Sequence, residues 1–200
     1  MKYIHILPQH KYPWLEVLYS MVLDIKPKVI VEYGTEHAGT AIVMGLALKE
    51  LYEKEQHKGT VHTYDTFQHQ SKGEIGSSPS YNIAVQNIQR YGLQDYIKVD
   101  RGDFFEFCDR PNKDFDLLYF DIDNDGDKVL EMYKGCVENI KQGSVVIFEG
   151  GSQVRDDVEW MNRLNKTKIN DVKDAVGYDL LTPNQKYSCS IIFDKEKYSL

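Results

Sequence analysis

The chain has 200 residues, which suits one domain with a layered core and is too short for two full-sized ones. Its 42% hydrophobic, 28% charged and 12% aromatic content is globular and excludes wholesale disorder or a fibrous repeat. With 24 Lys and Arg against 31 Asp and Glu the net charge is −7, and no local basic patch offsets it, so neither nucleic acid nor an anionic membrane is the expected partner.

The first helical pattern is Trp14, Leu15, Leu18, Met21, Val22 and Ile25, stopped by Pro27, so residues 1–27 are expected to form an N-terminal helical segment packed on the rest of a single 1–200 domain. Lys28–Tyr33 is apolar and β-branched and reads as a first strand. Gly34 to Gly39 then turns the chain into a helix ending near Glu55. The uncharged stretch Gly39–Leu48 within it is about half of the roughly 20 residues that cross a bilayer. Thr60–Asp65 is the second strand. Phe67–Ser80, rich in Gly and Ser, reads as a long loop of the kind that covers a site. Tyr81–Tyr91 is a helix with Gly92 at its C-terminal cap, and Tyr96–Arg101 is the third strand.

Phe115–Phe120 is the fourth strand, followed by the acidic run Asp121, Asp123, Asp125 and Asp127. Val129 to Ile140 is a helix closed by Gly143, Ser144–Phe148 the fifth strand, and Val154–Leu164 a further helix. Tyr178–Leu181 and Tyr187–Phe193, joined by Thr182–Lys186, suit an antiparallel hairpin. The expected fold is α/β: a doubly wound, Rossmann-like, mostly parallel seven-stranded sheet with an antiparallel C-terminal hairpin and helices on both faces. The N-terminus lacks a secretory pattern, and Cys108, Cys136 and Cys189 are odd in number with no CxxC. A reducing cytoplasm is the expected compartment.

In such sheets ligands lie beyond the carboxyl ends of the strands, at the point where strand order reverses. After the first strand, Glu32-Tyr-Gly34-Thr35-Glu-His37-Ala-Gly39-Thr40 combines a glycine turn with a helix N-terminus that can meet an anion. It has neither G-x-G-x-x-G nor a Walker lysine, which weakens dinucleotide and phosphate-transfer readings. Asp65 ends the second strand, where a carboxylate can accept the hydroxyls of a ribose or simply cap a loop. Arg101-Gly102-Asp103-Phe104 ends the third, where Asp103 and Phe104 either meet a purine edge or begin a helix and fill the core.

Taken in order, these segments resemble the class I S-adenosylmethionine-dependent methyltransferases over roughly Val29 to Phe193. The first motif is Val29 through Thr40, the ribose-binding strand end Thr63-Tyr-Asp65-Thr66-Phe67, the fourth motif Phe115 through Asp123, and the next strand Gln142 through Glu149. The nearest branch is that of small-molecule O-methyltransferases acting on sugars and natural products. The resemblance implies S-adenosylmethionine (SAM) as cofactor. Glu32, Gly34, Thr35, His37, Gly39 and Thr40 would surround its methionine half, Asp65, Thr66 and Phe67 its ribose, Gly102, Asp103 and Phe104 its adenine, and Asp121 the methyl-transfer end. An added side chain at Gly34 is expected to block the cofactor while leaving the sheet folded.

Two departures from the branch stand out. Ala38 replaces the first of two glycines, a change that still permits the helix. Asn124 and Gly150 stand where relatives often carry histidine and aspartate. The catalytic candidates are Asp121, Glu149 and His69, with His37 and His62 as further histidines able to move a proton. Asp121, Asp123 and Glu149 are the candidate ligands for an optional Mg²⁺, and Arg155 is a candidate grip for an anionic group on an acceptor. The expected activity is methylation of a hydroxyl on a small molecule. A non-catalytic nucleoside-binding domain and an NAD-dependent enzyme stand as alternatives, and a homo-oligomer is left open.

Overall fold

The computed structural model describes residues 2–3, 14–68, 80–108, 114–136, 143–181 and 188–193. Helix α1 (Leu15–Ile25) buries Leu15, Leu18, Tyr19 and Val22, one stripe at helical spacing. It ends where Lys26 turns left-handed and donates its N–H back to Val22, and Pro27 cannot continue it. Strand β1 (Val29–Tyr33) leads into α2 (Gly39–Glu55), β2 (Thr60–Asp65), α3 (Ser80–Arg90), β3 (Ile97–Arg101) and the short α4 (Phe104–Cys108). Then come β4 (Leu117–Phe120), α5 (Gly126–Cys136), β5 (Val145–Glu149), α6 (Gln153–Asp156), α7 (Glu159–Arg163), a 3₁₀ turn at Ile169–Val172, α8 (Lys173–Val176), β6 (Asp179–Leu180) and β7 (Cys189–Ile192).

The seven strands form one sheet in the order β3-β2-β1-β4-β5-β7-β6. The first five are parallel, and β7 pairs antiparallel with both β5 and β6. Alternation along the strands divides the core. Ile30, Val61, Leu117 and Tyr119 face α1, α2 and α3, whereas Val31, Leu118, Phe120 and Phe148 face the aromatic and aliphatic side chains of α4, α5 and α8. Helix α2 is buried almost all round from Ala41 to Leu48, which explains its apolar run without a membrane. Among the described residues no helix is long and apolar enough to cross a bilayer.

The expected α/β architecture is the observed one, with differences at its margins. The single helix expected over 154–164 is two short ones, α6 and α7, broken at Asp157–Val158. Ser152 caps α6 by accepting the Arg155 N–H, and Asp156 turns away to accept the Asn170 N–H, at 2.7 Å, so local hydrogen bonds override the apolar period. The 3₁₀ turn, α4 and α8 lack a pattern long enough to read as helices in sequence. The expected lid at 67–80 falls largely on residues 69–79, and the end of the Val129 helix and the hairpin turn fall on 137–142 and 182–187. All three segments lie outside the described residues.

Candidate active site

Register places the site. Tyr33 of β1 is level with Tyr64 of β2 and Phe120 of β4, and Phe120 is level with Phe148 of β5. The residues that leave these strands, Gly34, Asp65, Asp121 and Glu149, therefore emerge side by side where strand order reverses between β1 and β4. They line a cavity of about 460 Å³ together with Thr66, Gly102, Asp103 and Phe104. A second pocket of about 190 Å³ shares Gly34, Glu36, Asp121 and Glu149 with the first and runs along Thr35, His37, Gly39 and Thr40 to the N-terminus of α2. The two are lobes of one cleft.

The turn from β1 to α2 is unusual backbone. Gly34 has φ 104°, Glu36 44° and Ala38 65°. Ala38 sits just before the helix in the left-handed region, so alanine still permits the helix, as expected, at a cost of about 1–2 kcal/mol of local strain that glycine would not carry. A β-carbon on Gly34 would lie 1.9 Å from the Asp121 carbonyl oxygen. A side chain there cannot block the cleft and leave the sheet intact; it would push β1 from β4.

Asp65 is held by two backbone donors, Phe67 N–H to Oδ1 at 2.7 Å and Glu36 N–H to Oδ2 at 2.9 Å, which fix the carboxylate and leave a lone pair on each oxygen for a ligand. Asp103 accepts the Phe105 N–H at 2.9 Å, as at a helix start, and also lines the larger lobe. Phe104 stands edge-on to Tyr33 with ring centroids 5.3 Å apart, and Tyr33 stacks on Tyr64. At the opposite end Burial holds the Asp121 carboxyl well above the usual carboxylate range, and the neighbouring Glu149 raises it further by charge and by hydrogen bond.

Several expected site residues stand elsewhere. Glu32 is fully buried behind the turn and accepts hydrogen bonds from Thr40 and Thr63; burial raises its carboxyl to about 7. Phe67 is buried against Tyr81 and lines neither lobe. Asp123 is paired with Lys166, which also reaches Asp125 at 3.3 Å, so it does not join Asp121 and Glu149. His62 lies within β2 and lines neither lobe, and His69 is outside the described residues. Arg155 does not reach toward an acceptor: its Nη2 donates to Glu149 Oε1 at 3.0 Å, and it is buried. Among the described residues no group of three His, Cys, Asp or Glu is arranged to hold a metal.

The structure adds residues the sequence reading missed. Trp14 and Leu15 at the start of α1 close the smaller lobe, Trp14 stacking on Tyr119 at 5.7 Å. Glu36, Gln68, Phe105 and Ile122 line the larger one. Glu36 and Ile122 lay inside motifs already in view; nothing local in the sequence tied Trp14 to strand ends far along the chain.

A mostly parallel sheet with carboxylates at the ends of adjoining strands beside the switch point has the Rossmann-like architecture. A family described as "Methyltransferase domain" matches residues 31–149, and the chain belongs to that methyltransferase family. No curated protein matches it by sequence. Similar solved structures include an O-methyltransferase from Bacillus cereus in complex with SAH, at TM-score 0.60 and 16% identity over 95% of this chain and 86% of that one. Another is TomG, an O-methyltransferase of tomaymycin synthesis from Streptomyces achromogenes bound to SAM, at TM-score 0.59 and 15% identity over 92% and 80%. A third is cofactor-bound Rv0187 from MTB, at TM-score 0.61 and 16% identity over 94% and 83%. At these identities the likeness is one of fold.

Proposed function

We propose that this methyltransferase takes SAM as donor and methylates a hydroxyl of a small molecule of the sugar or natural-product kind. The observation that carries the reading is the convergence of Gly34, Asp65, Asp103, Asp121 and Glu149 on one cleft at the switch point. Similar folds bound to SAM or SAH, among them O-methyltransferases, support it. When bound, SAM supplies a methyl carbon made electrophilic by its sulfonium. The prearranged Asp65 carboxylate would hold the ribose hydroxyls, Asp103 and Phe104 the adenine, and the N–H groups at Gly39 and Thr40 the carboxylate of the methionine part.

Asp121 and Glu149 face the open end between the two lobes. Among the described residues these carboxylates are placed to receive the proton that an acceptor hydroxyl gives up, Asp121 once a bound sulfonium favours its ionised form, while holding the reactants in line supplies much of the catalysis. The expected compartment is the cytoplasm. Calorimetric titration with SAM and with SAH, followed by SAH release in the presence of a panel of hydroxylated small molecules, tests the reading. A folded sample that binds neither ligand refutes it, and binding without turnover on any acceptor points to the nucleoside-binding alternative.

A further inference from the structure

The acidic end of the cleft carries its own cation. Arg155 reaches from α6 to Glu149, at the end of β5, and the two side chains are each only 9% exposed. The Arg155 N–H is bound by the Ser152 hydroxyl at 3.2 Å, so the root of the guanidinium is fixed within the first turn after the strand. A metal-assisted site built on this sheet would need oxygens from Asp121 and Glu149 and further ligands from the residues that follow them.

Two of those carboxylates are already paired. Glu149 is spent on the guanidinium, and Asp123 is spent on Lys166. Residue 150 is a glycine at φ 102°, and the place of its absent side chain is filled: a β-carbon there would lie 2.5 Å from Asn124 Oδ1 and 2.6 Å from Ile169 Cδ1. Asn124 and Gly150, two separate departures in the sequence, are thus one packing arrangement, since a larger residue at 150 and the Asn124 amide compete for the same volume. A guanidinium already on the carboxylate also repels a second cation.

We propose that Arg155 occupies the cation position of this site, so that the protein binds no divalent metal there and, granting the methyltransferase reading above, transfers methyl groups without one. Arg155 is then a positioning residue that holds Glu149 toward the cleft in place of a metal ion.

The probe is Mn²⁺, read as loss of its free electron-paramagnetic signal on adding the full-length protein, with SAM binding measured by calorimetry on the same sample. The wild type is expected to leave the signal unchanged; stoichiometric loss that Glu149→Gln abolishes overturns the proposal. Arg155→Met, checked for folding by its melting transition, is expected to take up Mn²⁺, because Asp121 and Glu149 become two carboxylates without a counter-cation. A folded Arg155→Met that leaves Mn²⁺ free also overturns it, and if that variant does not fold the wild-type titration decides. Absent SAM binding with silent Mn²⁺ removes only the methyltransferase reading; normal SAM binding with stoichiometric Mn²⁺ removes only the cation assignment.

Discussion

The carbonyl oxygen of Asp121 stands 1.9 Å from the place a β-carbon on residue 34 would take. Two strands distant in sequence approach so closely at their carboxyl ends that glycine is a packing requirement as well as a backbone one, and the floor of the cleft is this crossing.

Gly34→Ala is therefore expected to destabilise by about 3 kcal/mol or more, combining positive-φ strain with a backbone clash. Gly92→Ala is the control: its φ is 63° and nothing lies within 4 Å of the added carbon, so only the backbone cost of about 1–2 kcal/mol applies. Urea denaturation followed by tryptophan fluorescence compares them, and equal losses would contradict the close crossing.

Asp65→Ala removes a carboxylate fixed by two backbone N–H groups. Charge-assisted hydrogen bonds are worth about 1.5–3 kcal/mol each, so SAM and SAH should both bind roughly 10- to 100-fold more weakly. Both are expected to suffer alike, since the ribose is common to them; calorimetry that finds either affinity unchanged would remove the ribose assignment.

Asp121→Asn should separate the two ligands. Burial and then Glu149 raise the carboxyl well above the usual carboxylate range, and a sulfonium cation would favour its ionised form, to which asparagine has no equivalent. SAM affinity is expected to fall while affinity for the neutral SAH stays near wild type. Parallel titrations check this, and an equal loss for both would place Asp121 away from the charged centre.

Glu32 is fully buried, and burial raises its carboxyl to about 7 from 4.5. The folded state keeps this proton while the unfolded chain loses it, so stability falls as pH rises from about 4.5 to 7 and levels off above, by ~3 kcal/mol from this group. Glu32→Gln, which cannot ionise, should be more stable than wild type at pH 8 and gain little at pH 4.5. Denaturant unfolding at the two values tests it; a gain independent of pH would mean that Glu32 is not the group titrating.

The elements of the fold were largely legible because each rests on local pattern. Val29-Ile-Val and Leu117-Leu118 read as buried strands, the stripe from Leu15 to Val22 as a helix face, and glycine or aspartate just after a strand marks a ligand-facing turn wherever the sheet is parallel. The same logic made Asp65, Asp103 and Asp121 candidates before any contact was known. It failed where the outcome depends on partners. Arg155 looked like a grip for an acceptor because its partner Glu149 lies across a turn whose geometry no spacing rule describes, and Asp123 looked free because Lys166 is far along the chain.

The sequence by itself determined the alternation of strands and helices, the acidic character of the strand ends and the residues able to face a nucleoside, since periodicity, propensity and charge are properties of neighbouring residues. Only the tertiary structure decided which carboxylates meet, which carry an internal counter-cation, and that Trp14 closes the cleft. Those outcomes follow from strand register and from competition for buried volume, as between Asn124 and a side chain at position 150, and such competition exists only once distant segments are packed together.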